Sequence, residues 1–114
     1  MRRPGSDEND LQMRDFLCDY CGREWTELVP MVEGHRGSCI CGNCVGAAYA
    51  ALEIEGAGSA TPPFECALCL ERRTEPGWAS PVREGVCACR RCVKQSAGVL
   101  SKDKESGWKR PGGG

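Results

Sequence analysis

Cysteine spacing constrains this chain more than any other feature. Cysteines stand at 18, 21, 39, 41 and 44, and again at 66, 69, 87, 89 and 92, each of the second set 48 residues after its counterpart. Phe16 with Phe64, Gly37 with Gly85 and Val45 with Val93 keep the same offset. So many coincidences at one period mark an internal duplication, and finding the period first fixes the unit that must fold. Each unit reads C-x2-C, an insert of 19 residues, then C-x2-C, with one further cysteine two residues before the third position.

Disulfides and metal compete to explain such a pattern. The start of the chain, MRRPGSDENDLQMRD, has no apolar stretch of the length a secretory signal needs. No segment reaches the 18 or so apolar residues of a membrane span. A cytoplasmic, reducing setting is therefore expected, where thiols serve metals or redox chemistry. Paired C-x2-C motifs with this separation read as zinc sites. A closed shell of four thiolates is the usual structural zinc site. Cys18, Cys21, Cys41 and Cys44 make one candidate set, and Cys66, Cys69, Cys89 and Cys92 the other. Two zinc ions per chain are expected. Modules this small lack the core to fold alone, and metal binding supplies what the core does not.

The duplication divides the chain. Residues 1–15 are polar and expected to be disordered, 16–55 form the first module, 56–63 a small-residue and proline-rich linker, 64–105 the second module, and 106–114 a disordered tail. In the first module Gly22 follows the second cysteine and suits a tight knuckle turn. Residues 24–33 read as a short helix or strand limited by Pro30, His35 to Gly37 as a turn, and Ser38 to Ile40 as a short strand. From Val45 the run VGAAYAALEIE reads as a helix ended at Gly56, with Val45, Ala48, Tyr49 and Leu52 on one face. The second module has Leu70 at the knuckle glycine position, a looser insert, and a weaker helix whose Val93, Ala97 and Leu100 share a face.

Several residues admit more than one reading. Cys39 and Cys87 fit small buried apolar residues, alternative ligands in place of Cys41 and Cys89, or oxidisable thiols that pair across the units. His35 has Arg83 as its counterpart, so the repeat does not require it, and it reads as a solvated turn residue. Trp25 and Trp78 read as caps on small cores, while Trp108 in the tail has no assignment. Arg90, Arg91 and Lys94 form either a phosphate-contacting patch or an ordinary solvated helix face. A thioredoxin-like redox motif would need a strand-led βαβ context that the C-x2-C pairs lack.

Cys18, Cys21 and Gly22, followed by Leu28-Val29 to Gly34 and then Ile40, Cys41, Cys44 and Val45, resemble the N-terminal zinc-binding domain of the ClpX protein unfoldase. The resemblance covers roughly residues 16–55, with a weaker copy over 64–104. It implies a small metal-bound α+β fold, here two tandem treble-clef-like zinc modules of four cysteines each: knuckle, hairpin, then a helix whose first turn carries two ligands. In that family the module dimerises and binds adaptors or substrates. The chain departs from the family in having no nucleotide-binding P-loop.

Charge adds an independent expectation. Residues 18–55 carry two arginines against six carboxylates, a net −4, and residues 66–105 carry eight cations against five carboxylates, a net +3. Opposite charge favours pairing of the two modules as a covalently linked pseudo-dimer. The leading functional reading is a non-enzymatic protein-interaction module, an adaptor or regulator with two structural zinc sites and a protein partner. Nucleic-acid binding through the basic second module and a thiol redox or zinc switch are the alternatives. A total of 15 Lys+Arg against 16 Asp+Glu counts against nucleic acid. Four thiolates close each site to substrate, and one histidine gives no catalytic set.

Overall fold

Each C-x2-C pair sits in a turn that must be opened by one extended segment and closed by another, and both modules are built around that need. In the computed structural model, which describes residues 1–112, Leu17 bridges Glu24 across the first knuckle. Strands β1 (Met31–Glu33) and β2 (Cys39–Cys41) then form an antiparallel hairpin, Met31 opposite Cys41 and Glu33 opposite Cys39. Helix α1 (Gly42–Tyr49) follows at once and continues as a wider π-helical turn over Ala50–Ile54. The segment 24–33, open to either helix or strand from sequence, supplies β1 as its regular element.

The second module repeats the plan. Strands β3 (Phe64–Glu65) and β4 (Arg72–Arg73) flank its knuckle, β5 (Trp78–Ala79) and β6 (Cys87–Ala88) form its hairpin, and α2 (Arg90–Lys102) closes it. The two inserts are equal in length but divided differently. Cys39 pairs with Glu33, whereas its counterpart Cys87 pairs with Ala79, not residue 81. The second hairpin loop is therefore two residues longer and the stretch before the hairpin two residues shorter. A constant spacing of cysteines conceals this compensating shift.

One core runs through both modules. Ile40, Val45, Ala48 and Leu52 from the first join Leu68, Trp78, Val93, Ala97 and Leu100 from the second. The faces expected on the two helices are the ones that meet there, except that Tyr49 is only partly buried at the edge. Tyr20, between the first two cysteines, is fully buried. Its hydroxyl donates to the Cys87 carbonyl at 2.9 Å, and its ring lies 5.6 Å from that of Trp78. Its counterpart Leu68 reaches the other way, its carbonyl accepting from the His35 backbone N–H at 2.7 Å. At Gly34 a side chain would meet the Leu68 carbonyl oxygen at 2.7 Å, so only glycine allows this approach. Arg83 extends its guanidinium to the Asp19 carbonyl, and Arg90 pairs with Glu53 through two contacts of 2.7 and 3.0 Å. The modules thus pack as a pseudo-dimer. The radius of gyration, 13.7 Å, is close to the roughly 13 Å expected of a single domain this long.

Both ends make contacts with the modules. Within residues 1–15, Met1 binds Asp19 through its ammonium group, Arg2 bridges Phe16 and stacks its guanidinium over that ring, and Asp15 is buried. This anchoring is polar, which apolar patterning does not reveal. In the tail, the Trp108 indole N–H donates to the Gly42 carbonyl at 2.9 Å and its ring packs against the core. The expected disorder of the tail also covers residues 113 and 114, which lie outside the described residues. The linker is held too, with Ala60 buried and exchanging backbone hydrogen bonds with Gly77.

Candidate metal centres

The knuckle turn presents Cys18 and Cys21, while Cys41 caps the N-terminus of α1 and Cys44 lies in its first turn. Cys66, Cys69, Cys89 and Cys92 occupy the same places around α2. The structure brings each set together, its four sulfurs all within 4.8 Å of one another. In the first centre Cys18 and Cys44 are 3.8 Å apart and Cys21 and Cys41 3.6 Å; in the second, Cys69 and Cys89 are 3.9 Å apart. A regular tetrahedron with zinc–sulfur bonds of about 2.3 Å has edges of about 3.8 Å. These separations fit zinc and are far too long for disulfides, whose sulfurs lie about 2.05 Å apart. All ten cysteines are free thiols.

Backbone N–H groups face the sulfurs, as the turn and the helix start require. Cys18 accepts from the N–H of Tyr20 at 3.4 Å and of Cys41 at 3.3 Å. Cys66 accepts from Cys89 at 3.3 Å, and Cys89 from Cys92 at 3.4 Å. Each centre consequently holds one sulfur ready to ionise. Hydrogen bonding with the Cys41 and Cys44 thiols, helped by those backbone donors, takes Cys18 far below the ordinary thiol value. Hydrogen bonding with Cys92 lowers Cys66 to about 4 against the opposing effect of burial. The partners shift the other way: Cys41 rises to about 11 through its bond with Cys18, and Cys44 and Cys92 rise through theirs with Cys18 and Cys66. Four sulfurs this close cannot all carry charge unless a cation joins them, which is the chemistry of a zinc site.

A match over part of the chain agrees with this geometry. Residues 17–53 match the ClpX C4-type zinc finger family. That segment is about a third of the chain and contains the whole first centre; the second four-cysteine cluster, at 66–92, makes the arrangement a tandem repeat. No curated protein and no solved structure matches the chain. Among the described residues, no helix is long and apolar enough to cross a membrane.

Cys39 and Cys87 stand outside both sulfur clusters. Cys39 is buried on β2, its backbone N–H bound to the Asp19 carboxylate. Cys87 is half-buried beside the second knuckle, where it bridges Cys66 and its carbonyl accepts from the Ala67 N–H. Burial pushes both thiols up, which fits small apolar residues and opposes a reactive thiolate. His35 is exposed at its turn and Trp78 is buried against Tyr20. Trp25 is half-buried and lines a shallow groove with Phe16 and Met31. Arg90, Arg91 and Lys94 are exposed on α2, with Arg90 engaged by Glu53.

Sequence reading misses two residues at these centres. The Arg73 guanidinium donates to the Cys69 sulfur at 3.3 Å and pairs with Glu71 at 2.9 Å. Its only signal is a cation four residues after a ligand. Tyr20 reads as a spacer between ligands, although apolar residues at both 20 and 68 repeat with the cysteines.

Proposed function

We propose that this chain is a non-enzymatic protein-interaction module of the adaptor or regulatory kind, its two zinc ions serving structure. The observation that carries the proposal is the joining of two closed four-sulfur centres through one shared core. ClpX-type modules act as dimers that bind other proteins, and here two treble-clef-like modules are already paired within one chain. All-sulfur shells leave no open position for a substrate or an activated water. A cleft of about 480 Å³ between the modules, lined in part by Val32, Leu68 and Val99, offers a surface that neither module has alone.

Binding of nucleic acid through α2 has less support, because Glu53 already engages Arg90 within the patch. The test is capture of partners in cells by the intact protein and by a Cys44→Ser variant, followed by reconstitution with the purified partner. A partner that binds only the zinc-loaded protein supports the proposal. Binding to mixed-sequence DNA or RNA with a steep salt dependence would replace it with the nucleic-acid reading.

A further inference from the structure

The two centres obey one plan but differ at one corner. Cys21 is exposed, and among the described residues no N–H or guanidinium donates to its sulfur; its close neighbour there is the Cys41 sulfur at 3.6 Å. Its counterpart Cys69 is half-buried and accepts from Arg73 at 3.3 Å. The residue corresponding to Arg73 in the first module is Trp25, which has no charge to offer. A zinc ion with four thiolates carries a net charge of −2, left on the sulfurs. A donor bound to such a sulfur withdraws that charge and occupies the lone pair an electrophile would attack; outer partners of this kind alter site behaviour by about 10–100-fold.

We propose that the first centre is a peroxide-sensitive zinc site, with Cys21 as the attacked sulfur and Cys41 as the resolving sulfur, and that Arg73 makes the second centre resistant. The Cys21 thiolate gives an electron pair to one oxygen of hydrogen peroxide. A sulfur–oxygen bond forms, the oxygen–oxygen bond breaks, and hydroxide leaves. The Cys41 thiolate then attacks the sulfenic sulfur, forming a disulfide and expelling a second hydroxide. Two thiolates lose two electrons in total and the peroxide gains them. The oxidised pair no longer ligates metal. The knuckle that carries Tyr20 is thereby freed, and with it the contact with Cys87 and Trp78 that joins the modules.

This inference rests on zinc occupancy of both centres, so native mass spectrometry of the intact protein comes first and must count two zinc ions. The loaded protein is then treated with hydrogen peroxide, with zinc release followed by a colorimetric chelator and each cysteine mapped by isotope-coded alkylation. The expected result is loss of one zinc with a Cys21–Cys41 disulfide, at least about 10-fold faster than loss of the second. Arg73→Gln should bring the second release close to the first, and Arg73→Lys should retain part of the protection. Simultaneous loss of both ions, earlier oxidation of Cys66 to Cys92, or an unchanged order with unchanged rates in Arg73→Gln would overturn it. The wild-type order decides the matter even if a variant fails to fold. Two ions lost at equal rates would refute the switch and leave the zinc sites intact, whereas zero zinc at the outset would refute the metal reading itself.

Discussion

Tyr20 shows how one side chain joins two modules. Its ring is buried against Trp78 and its hydroxyl satisfies a carbonyl of the other module. Tyr20→Phe should cost about 1 kcal/mol in denaturant unfolding, the usual net value of one hydrogen bond. Tyr20→Ala should cost about 3–5 kcal/mol, because it opens a cavity at the centre of the shared core. Burial raises the phenol far above its ordinary value of 10.0. The raised value makes the contribution of Tyr20 complete below pH 10.0 and lost as the pH rises beyond it. Phenolate absorbance should therefore report Tyr20 together with alkaline unfolding, and Tyr20→Phe should remove that component. The knuckles give a second comparison, since Gly22 at φ 77° and Leu70 at φ 61° occupy the same left-handed position. Gly22→Ala should destabilise by about 1 kcal/mol, whereas Leu70→Gly should change stability by less than about 0.5 kcal/mol, strain relief offsetting lost chain restriction.

Among the elements, the helices do two things at once. Cys41 and Cys89 cap them with extended backbone, so each helix begins where its last two ligands are needed. Their apolar faces then meet in the core. These faces are legible in the sequence because helical spacing is a local property. The hairpin register is not, because equal inserts can be divided in more than one way between loop and strand. The hairpin strands are also too short, at three residues or fewer, to carry a clear alternation of their own. Within α2, Gly98 has open space where a side chain would stand. Gly98→Ala should stabilise the protein by about 1 kcal/mol through helix propensity, read as a higher denaturation midpoint with an unchanged slope.

Across the molecule, metal and core depend on one another. Removal of both zinc ions by chelation should unfold the protein, seen as loss of helical circular dichroism and dispersed amide signals. Acid should act in the same sense. The depressed Cys66 thiolate loses its contribution as the pH falls through about 4, while the raised partners Cys41, Cys44 and Cys92 contribute with the opposite sign, below the ordinary thiol value of 9.0. Zinc adds to that slope, because protons compete for every ligand. Titration of the loaded protein should release zinc on acidification and never on a modest rise in pH.

Spacing along the chain was enough to pick out the two four-cysteine clusters, the repeat and the helix faces. A turn brings i and i+3 sulfurs together, and a helix repeats its face every three or four residues. Opposite module charges also pointed to the pairing, and the Arg90–Glu53 contact lies across it. Three-dimensional packing alone established that Tyr20 and Leu68 reach across the pair and that Trp108 closes over the start of α1. It also established that Arg73 covers the Cys69 sulfur of one cluster, while the counterpart Cys21 is left open. Those contacts join residues distant in sequence or depend on where one side chain points, and neither leaves a period in the chain.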